Sequence, residues 1–149
     1  MVLAVADTPV RVVARSEAVD WRAGTRTYLH AGQAVGSEQI CVFEQFHEPG
    51  GGAPPHSHPG IEETVTVLAG QARFEVEGQE AVVDAVATVI VPAGVEHSFS
   101  NVGSETLWVI AALPAAVPQV EYLSNSGVVL EIGREGGARH DAHRSYRED

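Results

Sequence analysis

Apolar and polar residues alternate with a period of two along most of this chain, in short runs closed by Gly, Pro and Asn. Successive side chains of a strand point to opposite faces, so this pattern specifies half-buried antiparallel strands. It predicts strands at Val10–Arg15, Gln39–His47, Glu62–Ala69, Ala72–Glu77, Ala81–Asp84, Thr88–Val91, Glu96–Asn101, Thr106–Leu113 and Val128–Ile132. The breaks carry turn chemistry, as in Gly78-Gln79, Pro92-Ala93-Gly94 and Asn101-Val102-Gly103-Ser104. Val is the dominant hydrophobe, and no stretch shows capped helical periodicity. Short strands at this spacing make an all-β sandwich or small barrel. At 149 residues the chain is one domain. Residues 1–132 are expected to form the barrel, N-terminal strand included. Residues 133–149 are charged, Gly-bearing and poor in large apolar groups, so they read as a solvated tail. His140 and His143 in that tail have a spacing that binds metal on a helix, but Gly136-Gly137 and the lack of an apolar face favour disorder.

Composition removes several chemistries. All nine basic residues are Arg against twenty acidic ones, giving a net charge of −11. Without Lys there is no Schiff base, no Walker-type phosphate lysine and no Ser-Lys dyad. The negative charge disfavours nucleic acid and anionic membrane surfaces. A single Cys, Cys41, excludes an internal disulfide and multi-cysteine metal sites, and its apolar neighbours predict a buried thiol. No run approaches the length of a membrane span, and the short apolar start lacks a basic leader, so a cytoplasmic protein is expected.

Three of the seven histidines fall in two compact segments. The first, Gly50-Gly51-Gly52-Ala53-Pro54-Pro55-His56-Ser57-His58-Pro59-Gly60-Ile61-Glu62-Glu63, puts His56 and His58 two residues apart, so their imidazoles face the same way in extended chain. Pro54, Pro55 and Pro59 stiffen the approach and the exit. Parity then separates the glutamates. Glu62 shares its face with Thr64 and Thr66, whereas Glu63 shares the inward face with Val65 and Val67. A carboxylate on an apolar face is costly unless it is paired, hydrogen-bonded or bound to metal. In the second segment, Pro92 to Asn101, His97 and Phe99 face inward and Ser98 and Ser100 outward. An isolated inward histidine is usually a satisfied core residue. Three of them with an inward glutamate and no basic partner nearby in sequence point to metal instead. The N₃O donor set suits Fe(II), Mn(II), Ni(II), Co(II) or Zn(II) and disfavours Ca or Mg.

These two segments resemble the paired motifs of the cupin superfamily. The first pattern, G-x5-H-x-H-x(3,4)-E-x6-G, is matched by Gly50, His56, His58, Glu63 and Gly70. The second, G-x5-P-x-G-x2-H-x3-N, is matched by Pro92, Gly94, His97 and Asn101, with Val86 in place of the leading Gly. The resemblance implies a single double-stranded β-helix (jelly-roll) barrel. It also implies that His56, His58, Glu63 and His97 ligate one divalent transition metal, iron favoured, in agreement with the parity argument.

Three neutral imidazoles and one carboxylate around a divalent ion leave a charge of about +1 in an acidic protein, favouring an anionic or enediol-like small molecule. The pocket walls are expected at Phe74, Phe99, Val65, Val67 and Val76, with few polar groups among them. Glu44, Gln45 and His47 enter the first motif. His47, placed near the barrel mouth, is the first candidate for a role beside the metal, the default for all three being a solvated rim. Tyr28, Trp21, Tyr122 and Trp108 read as packing or interface aromatics. Resemblance to single-domain cupins makes an Fe(II)-type dioxygenase, taking substrate and dioxygen at the 3-His/1-Glu centre, the leading expectation. The alternatives are a metal-assisted isomerase, decarboxylase or cyclase, and a non-catalytic metal- or ligand-binding cupin. The strands at Val10–Arg15 and Leu107–Leu113 suggest a homodimer.

Overall fold

The computed structural model describes residues 2–4, 10–123 and 129–132. Apart from one short 3-10 turn at Gln33–Val35, its elements are strands. Two of them, β1 (Val2–Ala4) and β2 (Arg11–Val13), pair with each other in a small sheet of their own. The next run is β3 (Val19–Arg22), β4 (Thr25–Ala31), β5 (Cys41–His47), β6 (Gly52–Ser57), β7 (Glu63–Ala69) and β8 (Gln71–Val76). Then follow β9 (Gln79–Asp84), β10 (Ala87–Val91), β11 (His97–Asn101), β12 (Leu107–Leu113), β13 (Gln119–Tyr122) and β14 (Val129–Glu131). One six-stranded sheet has the order β10-β7-β12-β5-β4-β3 and the other β14-β13-β6-β11-β8-β9. Both are antiparallel, and their inward residues meet in one core that includes Phe43, Val65, Val67, Phe74, Phe99 and Leu107. This is the expected all-β barrel. No helix among the described residues is long and apolar enough to cross a membrane.

Alternation sets the faces as the sequence predicts. Along β7, Glu63, Val65 and Val67 are buried while Thr64 and Thr66 are half-buried, and along β11 His97, Phe99 and Asn101 alternate with Ser98 and Ser100. Cys41 is fully buried on the inward face of β5, which pushes its thiol up to about 12. The residues 133–149, with His140 and His143, lie outside the described residues.

Five strands are absent from the sequence reading, β1 among them, and the other four have local reasons. On β4 the two deeply buried residues are Thr25 and Thr27, which inverts the usual polarity and hides the strand. Its partner β3 and the short β13 carry no alternation long enough to register. On β6 the prolines Pro54 and Pro55 lack the N–H a ladder needs. They are tolerated because the register against β11 shifts there: Ala53 faces Phe99 and His56 faces His97, leaving the prolines in the bulge.

Close backbone approach explains Gly52. It pairs with Ser100, and a Cβ there would collide with the Phe99 carbonyl and lie 2.8 Å from the Ser100 Cα. Neither atom can move without parting β6 from β11. Gly→Ala inside a strand ordinarily gains about 0.5–1 kcal/mol. Gly52→Ala is expected instead to destabilise by about 1–3 kcal/mol, read from the midpoint of urea unfolding.

Candidate metal centre

The site is assembled where β6, β7 and β11 cross the barrel. His56 comes from β6, His58 from the turn after it, Glu63 from the start of β7 and His97 from the start of β11. All four are buried, and one ligand-capable atom of each lies within 4.8 Å of the others. Donors about 2.1 Å from one shared ion stand at most about 4.2 Å apart, so a shift of a few tenths of an ångström closes the set. Glu62, as parity predicts, is exposed.

Three backbone carbonyls decide what the imidazoles present. His56 Nδ1 donates to the Pro54 carbonyl at 2.6 Å, His58 Nδ1 to that of Gln119 at 2.8 Å and His97 Nδ1 to that of Val95 at 2.9 Å. A carbonyl only accepts, so each Nδ1 carries the hydrogen, and a neutral ring then offers a bare Nε2 lone pair. His97 Nε2 nevertheless sits 3.0 Å from Glu63 Oε1, and His58 Nε2 3.2 Å from Oε2 without the alignment of a hydrogen bond. Lone pairs facing a carboxylate require a cation between them, either a proton on an imidazole or a metal ion. The donor set therefore fits a divalent transition metal, whose ligating histidines are commonly oriented by a carbonyl in this way.

The titration behaviour follows from the same contacts. Burial opposes ionisation of Glu63, but His58 and His97 against its two oxygens outweigh burial and hold the carboxyl at about 2. Burial, reinforced by His97 and His58, pushes His56 down to about 3 and keeps it neutral. Burial also works against protonation of His58, yet the Glu63 carboxylate raises it above the ordinary histidine value.

A cavity of about 40 Å³ adjoins the centre, lined by His56, His58 and Glu63. That volume admits a few waters or a molecule of a few heavy atoms. Of the expected walls, Val65 and Phe99 line it, joined by Phe43, Val109, Val120 and Tyr122. Phe74 and Val67 instead pack in the core, and Val76 is half-buried beside His97. The walls are also more polar than expected, since Arg22 and Gln45 reach the cavity. Tyr122, read as packing, lies with its ring 5.7 Å from that of His56.

His47 is not at a rim. It is fully buried, its Nδ1 accepting from the Thr25 hydroxyl at 2.9 Å and its Nε2–H donating to Gln45 Oε1 at 3.1 Å. Its ring meets Phe99 edge-on at 5.1 Å, so it stands behind the cavity wall. Glu44 is buried too, but on the outer side of β5, against Arg15 and Trp108 at 3.0 Å and His30 at 3.1 Å. Burial raises its pKa, and those three partners more than reverse that. Asn101, at the end of the second motif, has a structural role. Its Nδ2 donates to the carbonyls of His47 and Glu105, and its Oδ1 accepts from Gly103 N–H. Val86 is exposed in the turn between β9 and β10, far from the donors.

Residues 43–112 match the sequence model of the cupin domain. The chain carries a cupin domain. No curated protein matches it in sequence. The cupin fold is shared with solved structures of low identity. A recombinant oxalate oxidase in complex with glycolate has a TM-score of 0.61 at 23% identity, covering 67% of this chain and 55% of that one. Oxalate decarboxylase from Bacillus subtilis has 0.61 at 23%, covering 68% and 28%. An RmlC-like cupin from Shewanella frigidimarina has 0.59 at 17%, covering 68% and 85%. The chain thus spans about half the length of the oxalate oxidase that it matches.

The site geometry separates the two neighbouring glutamates and the histidines by function. His97→Ala is expected to abolish retention of one equivalent of metal after dialysis, whereas Glu62→Gln leaves it nearly unchanged, as read by elemental analysis. Reversed effects would contradict the assignment of faces.

Proposed function

We propose that this cupin domain is a metal-dependent enzyme acting on a small organic molecule at a centre held by His56, His58, Glu63 and His97. The observation that carries this reading is the convergence of three carbonyl-oriented imidazoles and a buried carboxylate on the wall of a small, mostly apolar cavity. A binding-only barrel has no need of a complete donor set. A divalent metal there supplies Lewis acidity and, as iron, redox chemistry with dioxygen.

The reaction class we favour is dioxygenation with Fe(II), the substrate being anionic or enediol-like. Mn(II), Ni(II), Zn(II) and Co(II) suit the same donors. In this reading the carbonyls of Pro54, Val95 and Gln119 hold the imidazoles in one tautomer. Val65, Phe99 and Val109 exclude bulk water, and the cavity limits the substrate to a few heavy atoms. Similarity in fold to an oxalate decarboxylase supports a second reading, metal-assisted decarboxylation without net oxidation. Isomerase, cyclase and binding-only roles use the same site. We also propose that the protein works in the cytoplasm as a homodimer, residues 1–132 forming the barrel and 133–149 a solvated tail. Exposed Val12 and Trp108 on β2 and β12 support an interface, and a monomeric mass in solution would remove it.

The decisive measurement is anaerobic reconstitution with Fe(II), followed by oxygen uptake with enediol, catechol and small 2-hydroxycarboxylate substrates. Substrate-dependent uptake that is lost in His97→Ala is the expected result. Absence of uptake with all three, together with tight zinc or nickel and no iron, would move the assignment to the decarboxylase, isomerase or binding readings.

A further inference from the structure

Two polar side chains on the inner face of β5, Gln45 and His47, are left without a task by the metal centre. They continue the inward alternation of Cys41 and Phe43, and both are buried. Gln45, 4% exposed, lines the cavity together with Phe43 and with Val109, its register partner on β12. His47 stands behind it, fully buried.

A directed chain of hydrogen bonds ties both residues to β4, where Thr25 lies opposite His47 and Thr27 opposite Gln45. The Thr25 hydroxyl donates to His47 Nδ1 at 2.9 Å, and His47 Nε2–H donates to Gln45 Oε1 at 3.1 Å. Gln45 Nε2 in turn donates to Thr27 Oγ1 at 3.1 Å. Burial, and after it the positive charge of Arg22, push His47 down to about 3, so the ring is neutral at physiological pH. A neutral imidazole has a single N–H, and Oε1 of Gln45 takes it. The two ends of a carboxamide are nearly alike in shape and opposite in polarity. The bond from His47 therefore decides which end is which.

The amide nitrogen has two hydrogens, and Thr27 accepts one of them. The second meets no acceptor among the described residues. A buried N–H left without an acceptor is costly, and the cavity that Gln45 lines is the place where one can be supplied.

We propose that Gln45 orients the molecule bound in the cavity by donating its second amide hydrogen to it, and that His47 is a positioning residue that keeps the amide in this polarity. This rests on the metal-centre reading above and deepens it. The molecule held beside His56, His58 and Glu63 then carries a hydrogen-bond acceptor at the end remote from the metal.

The test uses protein loaded with Co(II), whose visible absorption reports metal uptake, and two ligands small enough for the cavity. Azide binds a metal through one end and offers only acceptor lone pairs at the other. Methanethiol binds as its thiolate and ends in a methyl group that accepts nothing. Loss of a hydrogen bond to a charged ligand predicts that Gln45→Leu and His47→Phe each weaken azide binding by about tenfold. The antisymmetric stretch of the bound azide is expected to shift in the same direction in both variants. Methanethiol binding and Co(II) uptake stay as in the wild type. His47→Gln, which returns an N–H within reach of Gln45, recovers part of the azide affinity. Nitrogen-15 NMR of the Zn(II)-loaded wild type is expected to show His47 neutral with its hydrogen on Nε2.

Azide that does not bind the Co(II) protein, or binds Gln45→Leu as tightly as the wild type, would overturn the proposal alone. Gln45→Met, closest to Gln in length, serves if Gln45→Leu does not fold. Unchanged azide binding in His47→Phe would remove the positioning role. A hydrogen found on His47 Nδ1 would do the same without any variant. An equal loss of methanethiol binding would overturn the proposal as a distortion of the site. Failure of the wild type to take up Co(II) would overturn the metal-centre reading and this proposal with it.

Discussion

A carboxylate placed on the apolar face of a strand has to be neutralised, and the site is organised around that requirement at Glu63. Parity along β7 leaves Glu63 no outward alternative, because turning it out would turn Val65 and Val67 out as well. Three imidazoles close on the carboxylate, each oriented by a backbone carbonyl rather than by a second acidic side chain. Orientation through the main chain keeps added negative charge away from the centre.

Much of this was legible in the sequence because strand parity is a strict rule. The inward placement of His97 and the division of labour between Glu62 and Glu63 follow from counting by twos, and the burial of Cys41 follows from its apolar neighbours. The structure departs where one local rule is overridden by another. Pro54 and Pro55 argue against a strand until the bulge facing them is known, and that bulge depends on the register of β6 against β11. Buried Thr25 and Thr27 disguise β4, since their hydroxyls are satisfied by His47 and Gln45, partners some twenty residues away. Glu44 looks like a solvated carboxylate in sequence because Arg15, His30 and Trp108 come to it from three other segments. Arg22 had no signal at all, since it sits on a strand with no readable alternation.

The two motifs are also stitched together at their far ends from the donors. Gly50 N–H donates to the Asn101 carbonyl at 3.0 Å, and Asn101 N–H to that of Gly51 at 2.7 Å. The Asn101 side chain reaches the His47 carbonyl, so the start of the first motif, the end of the second and the end of β5 share one junction. That junction spans both six-stranded sheets and sets the height at which β6 and β11 run past each other. Small backbone shifts there would be felt at His56 and His97, which face each other across the same pair of strands.

Two of the three orienting carbonyls are local, two residues before their histidines, but the third belongs to Gln119, sixty-one residues beyond His58. The motif segments end at Asn101 and do not include it. A nascent chain that has exposed every donor therefore still leaves the His58 ring free to rotate. The last imidazole is locked only when β13 docks beside β6. Any ion held by these four residues would therefore meet its third oriented imidazole only in the closed barrel.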